Sequence, residues 1–244
     1  MVTSNKYTTK LCPINVHFLN KYWNNLDITI VGYEDVLKLT NLPSNVRTVS
    51  LGNQSDYGTN WTNALIPYFQ QIPEKYFTLI LDDHILLNKV DEEKIKILEK
   101  WFDEENADKA MIGGGISLQQ ASKVDDKVLL FNQNADYRTS LHPAIWTKKY
   151  FLKYLKPDMS SWDFELKNNH EAKNDGGRII NLSYNYPAEP HPYSYLELYT
   201  KGKITINSYG NVITNQPSRA FFAKEEIKYI WNSLYTRVKK NKEI

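Results

Sequence analysis

Two adjacent carboxylates, Asp82 and Asp83, follow the apolar run Tyr76-Phe77-Thr78-Leu79-Ile80-Leu81 and precede His84. Neighbouring carboxylates repel each other, so a fold that keeps them together must supply a cation or strong donors. A divalent metal is the simplest such cation. Hard oxygen ligands suit Mg2+ or Mn2+, and Mg2+ characteristically combines one or two carboxylates with substrate phosphates. The plainer reading is that one aspartate caps the next turn and the other is solvated, and the pair alone leaves both readings open.

A second candidate is Ser160-Ser161-Trp162-Asp163-Phe164-Glu165, which places carboxylates beside aromatic rings. If it opens a helix, Asp163 and Glu165 project in different directions, so at most one readily faces a site. An aromatic neighbour desolvates a carboxylate and raises its pKa, as a general base requires. The competing reading is a helix cap, with Ser160 or Ser161 as N-cap and acidic residues in the first turn.

Further along, His142 precedes Pro143, which biases it toward extended backbone and presentation from a loop. Trp146 and Trp162 read first as core residues, although flat rings also suit stacking on sugars or bases. His191, between Pro190 and Pro192 in a tyrosine-rich stretch, reads as a late metal ligand or a lid residue. Gly113-Gly114-Gly115 lacks the lysine of a phosphate loop and the spacing of a dinucleotide fingerprint, so it reads as a turn.

The elements that must position these residues follow from periodicity. Ile14, Phe18, Leu19, Tyr22 and Trp23 recur at helical spacing behind Pro13, predicting a helix over 13–24. Strands are expected at 28–31 and 46–51, and a helix carrying Trp61, Ala64, Leu65, Tyr68 and Phe69 before Pro73. The run 76–81 reads as a strand buried on both faces of a mainly parallel sheet, where the Asp82-Asp83 pair would sit outside its carboxyl end. Asp91 opens a helix over 91–105. Beyond it come strands at 109–112 and 127–131, helices near 147–156 and from Ser160, strand-like segments at 178–184 and 203–206, and a final helix over 223–240. Its basic end, Arg237 to Lys242, reads as a solvated helix terminus. Alternating strands and helices predict an α/β domain.

The 244 residues, 41% hydrophobic and 24% charged, exclude disordered and fibrous classes. Thirty Lys and Arg against 28 Asp and Glu give a formal charge of +2, too balanced to bind a polyanion by field strength alone. One cysteine, Cys12, excludes an internal disulfide framework and a cysteine-only zinc cluster, and makes a reducing cytoplasm the default. No apolar stretch approaches the roughly 20 residues that span a bilayer, so no integral membrane contact is expected. The start of the chain lacks the apolar segment of a secretory signal.

With these residues in place, the chain resembles the GT-A class of nucleotide-sugar-dependent glycosyltransferases. The apolar strand ending in Asp82-Asp83-His84 is similar to that class's DxD-type metal motif in a "DD" variant. More narrowly, the ordered set Asn20-Lys21-Tyr22-Trp23, Asn60-Trp61-Thr62, Leu81-Asp82-Asp83-His84, Ser140-Leu141 with Pro143-Ala144-Ile145-Trp146, and Trp162 to Glu165 is similar to a family of small glycosyltransferases of bacterial polysaccharide loci and viruses. The resemblance covers most of residues 2–206.

It implies a single GT-A-like (Rossmann-like) domain over 1–244, with a mixed, mainly parallel sheet flanked by helices. Residues 1–110 would form the nucleotide-binding half and 111–244 the acceptor-binding half. Asp83 would bind Mn2+ or Mg2+ bridging the donor diphosphate, with Asp82 near the ribose or in the metal shell and His191 a further metal candidate. Glu165, or else Asp163, takes the place of the base in inverting members. Tyr7 is the candidate for stacking on the base of a nucleotide-diphosphate sugar, a UDP-sugar first. Trp61, His142 and Trp162 are assigned to substrate contact. The acceptor would be a glycan, a lipid-linked sugar or a modified nucleic acid, in a bacterial cytoplasm or a virus-infected host cell. The class opens with a full β-strand where this chain offers only Met1 to Ser4, and Asn5 stands where an acidic residue is common. Two other readings of the same carboxylates stay open: a metal-dependent hydrolase of phosphoesters or glycosides, and an inactive nucleotide-sugar-binding module.

Overall fold

A computed structural model of the chain describes residues 1–104, 106–114, 118–183, 191–200, 203–204, 226 and 228–234. In chain order its main elements are α1 (Asn5–Tyr22), β1 (Ile28–Gly32), β2 (Val46–Ser50), α2 (Trp61–Gln71), β3 (Tyr76–Leu79), β4 (His84–Leu86), α3 (Glu92–Glu104), β5 (Lys109–Met111), β6 (Ala121–Lys123), β7 (Val128–Phe131), β8 (Ala144–Thr147), α4 (Lys148–Tyr154), α5 (Ser161–Ala172), β9 (Ile179–Leu182), β10 (Tyr195–Glu197), β11 (Tyr199–Thr200) and β12 (Lys203–Ile204). The chain forms two compact units, one of Met1–Ser50, Asp82–Lys89 and Ser194–Ile244, the other of Leu51–Leu81 and Val90–Tyr193.

In the first unit, α1 starts at Asn5, eight residues before the expected 13–24. The Ser4 carbonyl accepts from the Tyr7 and Thr8 amides at 2.8 and 2.9 Å, although the Ser4 side chain makes no cap. Pro13 lies inside the helix and removes one backbone donor. Leu11, Cys12 and Ile14 on either side of it are fully buried, and that packing carries the helix through the proline.

Strands β1 and β2 pair in parallel, in the register Ile28↔Val46 to Gly32↔Ser50. Val2 adds a parallel bridge to Val31, framed by Thr3 N–H donating to Val31 O (3.0 Å) and Val31 N–H to Met1 O (2.8 Å). The opening strand is thus one bridge long. A Cβ on Gly32 would lie 2.7 Å from both Thr3 Cγ2 and Val36 Cγ1, so only glycine lets the first segment lie this close. Strands β4 and β10 pair antiparallel with Glu197 opposite His84, and β11 pairs with β12. Residues 228–234 are helical, within the expected final helix, and Tyr229 stacks on His17 of α1 at 4.0 Å. The Glu226 carboxylate accepts from Lys21 and the Tyr22 hydroxyl. The basic segment Arg237 to Lys242 lies outside the described residues, as do Tyr184, Tyr186, Gly115 and positions 205–206 of the last strand-like segment.

The second unit holds a six-stranded sheet in the order β3-β8-β5-β9-β7-β6. The α/β class stands, but the mainly parallel sheet does not: β5 with β9 is the parallel pair, while β3 with β8, β8 with β5, β9 with β7 and β7 with β6 are antiparallel. The apolar run 76–79 signalled cover on both faces, not strand direction. Tyr76 stacks on Phe102 of α3 at 5.3 Å, and its neighbour Phe77, on the opposite face, meets Phe69 of α2 at 4.7 Å and Phe151 of α4 at 5.4 Å. Helices on both faces make a strand apolar throughout whichever way its neighbours run.

Gly32→Ala tests the close approach in the first unit. It is expected to cost about 1–3 kcal/mol through overpacking against Thr3 and Val36, read as a lower urea midpoint. An unchanged midpoint would mean that the opening segment has slack.

Candidate active site

Between Leu81 and Asp82 the chain passes from the second unit to the first. The Asp82-Asp83 turn is fixed from below by Asn15, a fully buried residue of α1 whose Nδ2 donates to the carbonyls of Asp82 and His84, both at 3.2 Å. Thr3 Oγ1 donates to Asp82 Oδ2 at 2.5 Å. The three-residue start of the chain therefore reaches an aspartate 79 positions away because Gly32 lets it come close. His84 is buried with its ring 4.7 Å from Tyr195, and Leu198 N–H donates to Asp83 O at 2.8 Å, which ties the β10 end to the turn.

Burial raises the Asp82 carboxyl to about 6, against the pull of the Thr3 hydroxyl and of backbone amides. Asp83 rises to about 7, first through burial, then through the charges of Asp82 and Glu197. Among the described residues no lysine or arginine forms an ion pair with either; His84 Nε2 lies 3.9 Å from Asp83 Oδ1, and the buried Met1 ammonium feels the Asp82 charge. This is a donor set that a hard divalent cation fits: oxygen ligands with no lysine or arginine partner among the described residues. No group of three or more His, Cys, Asp and Glu converges on one point among the described residues, where Asp82 and Asp83 stand as an adjacent pair of carboxylates. That is the pattern of a Mg2+-type site completed by phosphates and water. Tyr7, on the first turn of α1, lies 5.4 Å from the ring of Tyr199 with Lys6 Nζ over its face at 5.0 Å.

In the second unit Ser160 caps α5 through a capping box, its hydroxyl engaging Asp163 N–H while the Asp163 carboxylate accepts from Ser160 N–H at 3.0 Å. Asp163 also pairs with Lys167 at 2.7 Å, and these partners hold its carboxyl at about 2, the state of a cap and a poor proton acceptor. Glu165 is differently placed. Its Oε1 accepts the Leu141 N–H at 2.6 Å and its carbonyl accepts Thr139 Oγ1 at 3.0 Å. One carboxylate oxygen is thereby oriented by a backbone donor.

Trp162 is 68% exposed on the first turn of α5, so its ring is not core. Trp146, by contrast, is fully buried under Lys109 Nζ at 4.0 Å. Trp61 begins α2 and packs edge-on against Phe164 at 5.8 Å. His142 sits half-buried in the loop before β8, as its proline neighbour predicts. His191 is half-buried in the second unit; burial and the Lys94 charge lower its pKa, and its Nδ1 has no hydrogen-bond partner among the described residues.

Sequence reasoning missed Thr3, Asn15, Glu197, Lys109 and the Leu141 amide. None lies near the motif residue it serves, and Lys109 reads as an ordinary polar strand start. A signal existed for Thr3 only: the glycine at position 32 behind an apolar strand marks a close backbone approach.

No protein-family model matches the chain, and no curated protein matches it. Solved structures do. The chain is similar to S. aureus TarS 1-349, with 15% identity over 97% of this chain and 70% of that one, at a TM-score of 0.51. It is also similar to an active-site mutant of LgtC, with 12% identity over 96% and 95% of the two chains at a TM-score of 0.49. A third match is the bifunctional IspDF of Campylobacter jejuni, with 18% identity and a TM-score of 0.37; it covers 69% of this chain, which spans 40% of that protein's length. The chain shares the fold of TarS 1-349.

The raised carboxyls fix a pH dependence for chelator-treated protein. Folded Asp82 and Asp83 hold protons more tightly than the unfolded chain does. Their contribution to stability is therefore full below about pH 4 and is lost as pH rises through 6 and 7. Asp83→Asn removes its share, so the urea midpoint of the variant should fall less between pH 5 and pH 8 than that of the parent. Parallel curves would show that Asp83 is solvated when folded.

Proposed function

We propose that this chain is a glycosyltransferase that moves a sugar from a nucleotide-diphosphate donor to an acceptor hydroxyl with a divalent metal and with inversion. The observation that carries the reading is the Asp82-Asp83 pair: two largely buried carboxylates without a lysine or arginine partner among the described residues, in a chain that shares the fold of TarS. Asp83, with Asp82 beside it, would hold Mn2+ or Mg2+, and His191 is a further metal candidate. When bound, the cation offsets the charge that grows on the departing diphosphate.

The remaining steps belong to the chain's own residues. Tyr7 stacks on the nucleotide base, Asp82 faces the ribose, and Trp61, His142 and Trp162 contact the substrates. Glu165 accepts the proton of the acceptor hydroxyl, because the Leu141 amide occupies one carboxylate oxygen and orients the other. The hydroxyl then attacks from the face opposite the leaving diphosphate, the inverting course that the resemblance to the GT-A class implies. Residues 1–110 act as the donor half and 111–244 as the acceptor half of one domain. The donor is a UDP-sugar; the acceptor is a glycan, a lipid-linked sugar or a modified nucleic acid. The setting is a bacterial cytoplasm or a virus-infected host cell. Among the described residues no helix is long and apolar enough to cross a membrane.

Thermal unfolding with UDP or a UDP-sugar, with and without Mn2+ or Mg2+, tests the donor site. Ligand at 100 times its dissociation constant stabilises by roughly 2.7 kcal/mol, and the shift should require metal and vanish in Asp83→Ala. Stabilisation without metal, or an unaffected variant, sinks the assignment. Glu165→Gln should keep the metal-dependent shift and lose at least about 100-fold in transfer; retained turnover would move the base elsewhere.

A further inference from the structure

Lys109 has no part in the proposed chemistry, yet it is a fully buried lysine in the middle of the six-stranded sheet. Its Nζ donates to Arg138 O at 3.0 Å and Ser140 O at 2.8 Å and lies over the Trp146 ring at 4.0 Å. The two carbonyls flank Thr139 in the loop ahead of β8. Three further ties of this loop run to a single stretch of α5: Arg138 N–H to Asn169 Oδ1 (3.1 Å), Thr139 Oγ1 to Glu165 O (3.0 Å) and Leu141 N–H to Glu165 Oε1 (2.6 Å), while the Arg138 side chain reaches Asn132 O, Asp175 Oδ1 and Gly177 O. The loop is thus gripped from the sheet by Lys109 and grips in turn the helical turn that carries Glu165.

The loop would not hold this shape unaided. Tyr137, at its start, has φ +61°, a left-handed conformation that a bulky side chain rarely adopts and that persists only where the surroundings over-determine it. The Ser140 amide closes the turn onto Tyr137 O at 3.0 Å, and Lys109 takes the Ser140 carbonyl on the other side of the same residue. Burial pulls the Lys109 pKa well below the usual lysine range, while the Glu165 charge pushes the other way.

We propose that Lys109 is the positioning residue for Glu165: by clamping the Arg138 and Ser140 carbonyls it sets where the Leu141 amide stands, and so which carboxylate oxygen of Glu165 is left for an acceptor hydroxyl. The functional half of this statement rests on Glu165 being the base. The structural half does not.

The test compares Lys109→Met, Lys109→Gln and Glu165→Gln with the parent. Amide hydrogen exchange resolved by NMR reads the Leu141 amide against Ile180 and Leu182 of β9. UDP release from UDP-glucose with Mn2+ reads kcat and KM. In Lys109→Met the Leu141 amide should exchange about tenfold faster or more while the β9 amides hold their rates. UDP release should lose about tenfold in kcat at an unchanged KM. A residue that matters only for stability would move all these amides together and leave kcat alone. Lys109→Gln keeps N–H donors on a shorter side chain, so it should lose less Leu141 protection and less kcat than the methionine variant, and it is read against the parent for those smaller losses if the methionine variant does not fold. If neither folds, Lys109 is a stability element and the proposal fails. It also fails if Glu165→Gln abolishes UDP release while the Lys109 variants change neither exchange at Leu141 nor kcat. If instead Glu165→Gln releases UDP at the parental rate, the base assignment falls, and the clamp is judged on the Leu141 exchange alone.

Discussion

Burying a carboxylate without a lysine or arginine partner is among the costlier things a fold can do, and among the described residues this chain does it twice in succession, at Asp82 and Asp83. The cost appears as carboxyl groups that prefer to hold their protons near neutrality. What keeps the turn in place is a set of neutral donors: the Thr3 hydroxyl on Asp82 and the Asn15 amide under the backbone of Asp82 and His84. Those donors depend in turn on the close approach at Gly32 and on α1 running unbroken through Pro13. A good part of the described first unit is arranged around two carboxyls that no described lysine or arginine pairs with.

Elsewhere the chain follows the ordinary rule for buried charge. Arg138, fully buried, meets Asp175 at 3.2 Å and the carbonyls of Asn132 and Gly177 at 2.9 and 2.6 Å. Asp175 also accepts from Tyr154 Oη at 2.5 Å and Lys153 Nζ at 2.9 Å, and these partners hold its carboxyl at about 2 despite burial. Lys109 finds two carbonyls and the face of Trp146. Against those pairings, Asp82 and Asp83, with no lysine or arginine partner among the described residues, fit a site that takes its positive charge from outside.

The same contrast separates the two acidic residues of α5. Asp163, with its capping box and Lys167, is held in the ionised state. Glu165, two residues on, points elsewhere on the helix and meets a single backbone donor. The sequence left both as candidates; the structure shows one as a helix cap and the other bound to the Leu141 amide.

Much of this was legible without coordinates. Apolar periodicity located α2, α3, β1, β2 and the strand before the aspartates, and the Ser160 to Glu165 pattern located the cap of α5, because these signals are local: a side chain's burial repeats with the period of its own element. Periodicity reports how many faces are covered, so it could not say that β3 runs antiparallel to β8, nor that α1 begins in the polar stretch before Pro13. The residues that tune the site were out of reach for the same reason. Thr3 meets Asp82 across 79 positions, Asn15 holds the turn across 67, and Lys109 fixes a loop some 30 residues away. The sequence determined which groups could do chemistry; only the tertiary structure decided which of them are desolvated, which are already paired and which remain available, because desolvation and pairing depend on neighbours that chain order does not specify.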